Sequence, residues 1–169
     1  MPLIIETGAI VADANSYATV AELRAYADQR HEVLPQSNVE CEKALLGAMT
    51  WLSKQFSTRF IGRRVSAQQA LDWPRMNAAL SNGQVLPSEL IPRQIFYGQL
   101  AAAVRIAQGL AATADRGATT DRQVKSESVG PISITYENTG KVLDVGSFAE
   151  AEAQLATLIT RGGLFAIRA

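Results

Sequence analysis

The chain contains one cysteine, Cys41, and one histidine, His31. A lone cysteine excludes an internal disulfide, and one Cys with one His cannot fill a tetrahedral zinc site. Both read as structural, Cys41 as a small core residue and His31 as an exposed residue at a helix end. Net charge is also missing, with 16 basic and 16 acidic residues among 169. Proteins that grip phosphates usually carry a basic excess. The composition therefore argues for weak or absent binding to single-stranded DNA and against sequence-specific binding. Aromatic residues make up only 7%, few for a stacking platform.

Other absences narrow the field further. No apolar run is long enough to span a bilayer. The opening segment carries Glu6 but no basic stretch, unlike a signal peptide. The chain thus reads as made in the cytoplasm, with no membrane partner. It has no Gly-rich phosphate loop, serine elbow, HExxH or DxDxDG, and no carboxylates spaced as acid and base. No catalytic residue, metal ligand or cofactor is expected, and the protein reads as a non-enzyme.

What is present is a helical pattern of one-domain length. Leu3 to Val11 reads as extended, with a turn at Gly8. Thr19 and Glu22 have capping-box spacing and predict a first helix to about Arg30, with Val20, Leu23 and Ala27 on one face. Ser37 and Glu40 repeat that signal. After them Cys41, Leu45, Ala48, Met49, Leu52 and Phe56 form an amphipathic stripe, with Trp51 at its edge. Gly62 marks a left-handed turn. Ser66 to Gln69 predicts one or two helical turns, stopped at Trp73-Pro74, and residues 76–88 read as loop.

Pro92 suits the first position of the longest helix, expected to reach about Ala114. Its only polar stripe is Gln94, Gly98, Arg105 and Gln108. Such a helix is buried on more than one side, by its own domain or by another subunit. Two strands flank Gly130-Pro131. Ser147 then caps a last helix with Phe148, Ala151, Leu155, Leu158 and Ile159 inward, and Gly162-Gly163 stops it. The expected fold is mainly α, a bundle of about four helices with a β-hairpin inserted at about 122–137. Residues 1–161 form one domain, and 162–169 form an extended C-terminal tail.

Several residues are candidates for contact with a partner or another subunit. Arg59, Arg63, Arg64 and Arg75 cluster in sequence and suit phosphate or carboxylate, or pairing within the chain. Trp73 suits an interface anchor or a plug between helices. Ile134 and Tyr136 share one face of the hairpin. Leu164, Phe165 and Ile167, with Arg168, give the tail apolar surface for docking.

Four blocks carry a resemblance. They are Glu6-Thr7-Gly8 with Ala12 to Thr19, Arg63-Arg64 with Ala70-Leu71-Asp72-Trp73-Pro74-Arg75, Ile91-Pro92-Arg93, and Val129-Gly130-Pro131-Ile132 with Tyr136. In this order they resemble a family of small tailed-bacteriophage proteins, the head-to-tail connectors or adaptors. Some members of that family are labelled DnaT-like single-stranded-DNA-binding proteins. The resemblance implies a structural virion protein at the neck, a homo-oligomeric ring, a dodecamer, between the portal protein and the tail or its stopper or terminator protein. Genomic DNA would be only passing cargo. The second label implies single-stranded-DNA binding. Charge balance and the lack of a catalytic motif favour the adaptor, which is the expectation taken to the structure.

Overall fold

A computed structural model describes residues 2–110 and 148–160, and the backbone of 127–129 and 132–134. Helix α1 spans Val20–Gln29. Its capping box is present: the Thr19 hydroxyl accepts from the Glu22 amide at 3.2 Å, and the Glu22 carboxylate accepts from the Thr19 amide at 2.7 Å. Helix α2 spans Asn38–Phe56 and buries Cys41, Ala44, Leu45, Ala48, Met49, Trp51, Leu52 and Phe56. The second expected capping box does not form, since the Ser37 side chain makes no cap hydrogen bond. Instead the Arg24 guanidinium steadies this start, donating to the Gln36 carbonyl at 2.8 Å and the Asn38 side chain at 3.0 Å.

Two short strands follow, β1 Arg63–Arg64 and β2 Arg75–Met76, pairing antiparallel with Arg64 opposite Arg75. The helical turns expected from Ser66 to Gln69 are absent. The Gln69 side chain takes over the local backbone, accepting from the Ser66 amide at 3.0 Å and donating to the carbonyls of Leu71 at 2.7 Å and Pro74 at 3.0 Å. Side-chain hydrogen bonds of this kind compete with helix. Beyond β2 the chain is loop, as expected, with Gly83 at φ 84° in a tight turn.

Helix α3 spans Arg93–Ala107, with Pro92 as its N-cap rather than its first residue. Gly109, at φ 101°, ends it short of the expected Ala114. The two-sided burial is met within the chain, because α2 packs on one flank and α4, Ala149–Leu155, on another. Gly98 belongs to the buried face rather than to a polar stripe: a Cβ there would lie 2.9 Å from Leu155 Cδ2. The expected cap Ser147 lies outside the described residues. Of the side chains expected inward on the last helix, Ala151, Leu155 and Leu158 are buried and Phe148 and Ile159 pack against them. The backbones of β3, Glu127–Val129, and β4, Ile132–Ile134, pair antiparallel. The fold is therefore mainly helical, with four helices and small antiparallel ladders.

Two buried polar groups tie the N-terminal segment to this core. The Glu6 carboxylate accepts from the amides of Gly8, Ile10 and Val11 at 2.8, 3.1 and 2.9 Å, and so organises the first turn. Gln99, fully buried in α3, accepts from the Tyr17 amide at 2.9 Å and donates to Ser16 Oγ at 2.8 Å. The same amide donates to the Leu45 carbonyl of α2 at 3.3 Å, so it joins α3 to both the segment preceding α1 and α2, and a polar residue inside the core costs little.

Candidate nucleic-acid interface

Charge is segregated along the chain although its sum is zero. Between Lys43 and Ser88 the basic residues are Lys43, Lys54, Arg59, Arg63, Arg64 and Arg75, against the single carboxylate Asp72. The remainder of the chain is correspondingly acidic. Most of these cations flank the turn that joins the end of α2 to β1: Lys54 in the last turn of the helix, Arg59 in the turn, and Arg63 and Arg64 in the strand. Lys54, Arg59 and Arg63 are exposed there, and none of them pairs with a carboxylate among the described residues.

The turn is rigidly built. Ile61 donates its amide to the Leu158 carbonyl at 2.9 Å, Thr160 donates to the Arg59 carbonyl at 2.7 Å, and Phe60 bridges Ile159. Gly62, at φ 69°, supplies the left-handed residue expected of it. A Cβ there would fall 2.6 Å from the Met76 carbonyl oxygen, so no other residue fits without displacement. From below, Arg75 clamps the turn, donating to the carbonyls of Ile61 and Gly62 at 2.9 Å each.

Arg75 and Trp73 are thus not surface contacts. Trp73 is fully enclosed, edge-on to Phe60 with centroids 6.0 Å apart, and the Tyr17 hydroxyl accepts from its amide at 2.9 Å. It fills the space between helices, and a side chain with no exposed atoms cannot anchor a partner. Arg75 is 7% exposed and its fork is used on backbone oxygens. Burial pulls its pKa below the usual guanidinium value, against the opposing pull of Asp72. Asp72 is nearly buried too, and burial raises its pKa above the ordinary carboxylate range despite Arg64 and Arg75 nearby. Arg64 is intermediate in role. It donates to the Leu71 carbonyl at 3.1 Å and stands 3.8 Å from Asp72, with its side chain 38% exposed. Of the arginines expected to make contacts, Arg59 and Arg63 are exposed and without an ion-pair partner among the described residues.

The remaining expected contacts fall differently. The backbone of Ile134 pairs with Glu127 in the hairpin, but its side chain, Tyr136 and the tail residues Leu164, Phe165, Ile167 and Arg168 lie outside the described residues. Sequence reading missed Lys54, and it missed Asp72 as the carboxylate beneath the arginines. The long acid-free run from Lys43 to Leu71 was the available signal.

Aromatic rings are withheld from solvent. Trp51, Phe56, Phe60 and Trp73 form a buried chain of ring contacts, and Phe148, Phe96 and Tyr97 are half-buried, so no described Phe, Tyr or Trp ring is exposed. What does reach the surface is guanidinium lying on ring: Arg59 is 5.4 Å from the Phe56 centroid, Arg93 5.6 Å from Tyr97, and Arg30 3.7 Å from Tyr26. Arg30 is also held 3.2 Å from Glu150, whose carboxylate accepts from the Tyr26 hydroxyl at 2.9 Å. Among the described residues there is no cluster of metal-binding side chains and no helix long and apolar enough to cross a membrane.

A family described as "Putative DnaT-like ssDNA binding protein" matches residues 1–169. No curated protein and no solved structure matches the chain. The family match overturns the head-to-tail adaptor role expected from the resemblance, and nothing found supports the ring or the portal and tail partners that went with it. The expectation misjudged charge, because it weighed the net value and not its distribution. Of the two labels that the sequence blocks suggested, the match over the full length supports the second, and the chain belongs to the DnaT-like single-stranded-DNA-binding family.

Proposed function

We propose that the protein binds single-stranded DNA without catalysing a reaction, and that the turn between α2 and β1 meets the phosphate backbone. The observation that carries this reading is the group of Lys54, Arg59 and Arg63, exposed together and without carboxylate partners among the described residues. Family membership supplies the ligand class. Cations of this kind release counterions when they meet phosphates, which gives affinity without sequence preference. The clamp by Arg75 and the bolt by Leu158 and Thr160 hold the turn in one shape, so little ordering cost falls on binding.

The test is fluorescence anisotropy with a labelled oligo-dT of about twenty nucleotides, longer than a typical single-fold site. Binding is expected at low salt and falls steeply as salt rises. Replacing Lys54, Arg59 and Arg63 together by glutamate is expected to abolish it. Absence of binding by the wild type at low salt, or wild-type affinity in the triple variant, rejects the reading.

A further inference from the structure

Single-stranded-DNA binders normally offer aromatic faces to the bases. Here no described Phe, Tyr or Trp ring is exposed, yet a guanidinium lies over several of them. Guanidinium planes themselves stack on nucleobases. Building on the single-stranded-DNA reading above, we infer that Arg59 is the base-stacking residue of this interface, its planar group carried on the buried Phe56 ring and its outer face presented to a nucleobase.

The three surface pairs are not equivalent. The Arg30 charge is matched by Glu150 at 3.2 Å, and an anionic strand gains little there. One arm of Arg93 is engaged, with Nη2 donating to the Tyr97 hydroxyl at 3.1 Å. Arg59 makes no side-chain hydrogen bond or ion pair among the described residues, and it sits between Lys54 and Arg63 in the basic turn. Its backbone is fixed on both sides: its amide donates to the Phe56 carbonyl at 2.8 Å, and its carbonyl accepts from Thr160. The Cα is therefore held while the side chain rests on a ring that is itself only 2% exposed. The Phe56 face raises the local affinity for a cation and restricts the conformations the guanidinium samples. A strand whose phosphates run along Lys54 and Arg63 would bring a base over Arg59.

Arginine and lysine separate charge from stacking. Lysine keeps the cation and lacks the plane. The experiment compares wild type and Arg59→Lys on two ligands of equal length, oligo-dT and an abasic oligonucleotide of deoxyribose phosphates. Wild type is expected to prefer oligo-dT by about fivefold or more, the lower end of what one stack contributes. Arg59→Lys is expected to keep its affinity for the abasic strand, to lose most of the preference for bases, and to unfold at the wild-type temperature. A preference unchanged in Arg59→Lys overturns the inference. So does a wild type that binds both strands equally, which leaves the phosphate reading standing. Failure of the wild type to bind either strand rejects the single-stranded-DNA reading, and this inference with it.

Discussion

Arg75 Nη2 donates to the Gly62 carbonyl at 2.9 Å, which makes a buried cation the support of the left-handed residue on which the exposed turn pivots. Lysine cannot span both the Ile61 and Gly62 oxygens. Arg75→Lys is expected to lower stability by about 1.5–3 kcal/mol, the range for a hydrogen bond to a charged group, measured by urea unfolding. Affinity for single-stranded DNA is expected to fall as well under native conditions, although Arg75 itself is buried. Unchanged stability would remove the clamp from the description.

Arg63 is expected to act as a simple phosphate contact. In Arg63→Ala, the slope of log affinity against log salt should become shallower by about 0.7, the value for one single-strand phosphate, with no loss of stability. A salt slope equal to that of wild type would place Arg63 outside the interface.

Trp73 has no exposed surface and touches both the Tyr17 hydroxyl and the Phe60 ring. Truncation to alanine is expected to cost roughly 3–5 kcal/mol, as for other large core aromatics. A cost below about 1 kcal/mol, the level of a surface change, would contradict the enclosed position.

Gly98 lets α4 approach α3, with Leu155 Cδ2 at 2.9 Å from where a Cβ would stand. Gly98→Val is expected to destabilise by roughly 1–3 kcal/mol through overpacking, read from the shift in the urea midpoint. Equal or greater stability than wild type would show that α4 yields without cost.

Asp72 gives a pH dependence of defined sign. Burial raises its folded-state pKa, and Arg64 and Arg75 pull only partly the other way. A carboxyl raised on folding favours the folded state when protonated. Relative to Asp72→Asn, the wild type should therefore gain stability as pH falls through the raised value towards the ordinary carboxylate value of about 3.9. That relative gain is lost as pH rises back through the raised value. Unfolding of both proteins across this range checks it. A stability difference independent of pH would contradict a shifted Asp72.

Helices were legible wherever burial has a period. The α2 stripe from Cys41 to Phe56 and the Thr19–Glu22 box both appear as read. The failures have local causes. Ser66 to Gln69 reads as a helix start, but the Gln69 amide satisfies the backbone around it, a tertiary choice that propensity does not encode. Gly98 looks solvent-facing until Leu155, distant in sequence, is placed on it. Trp73 and Arg75 have the composition of an interface hot spot, and only three-dimensional packing shows that they face inward. The basic turn was half legible: its arginines were singled out, but the net charge of the whole chain concealed the surface they form.

The bolt between Ile61 and Leu158 also sets an order in time. These partners lie far apart in the sequence, so their contact is strongly non-local, and such contacts close late. During synthesis the arginines of the turn leave the ribosome long before Leu158 and Thr160 do. Until those residues arrive, the cations sit on an unfastened chain end. The shape that presents them together is completed only once Leu158 and Thr160 have been made.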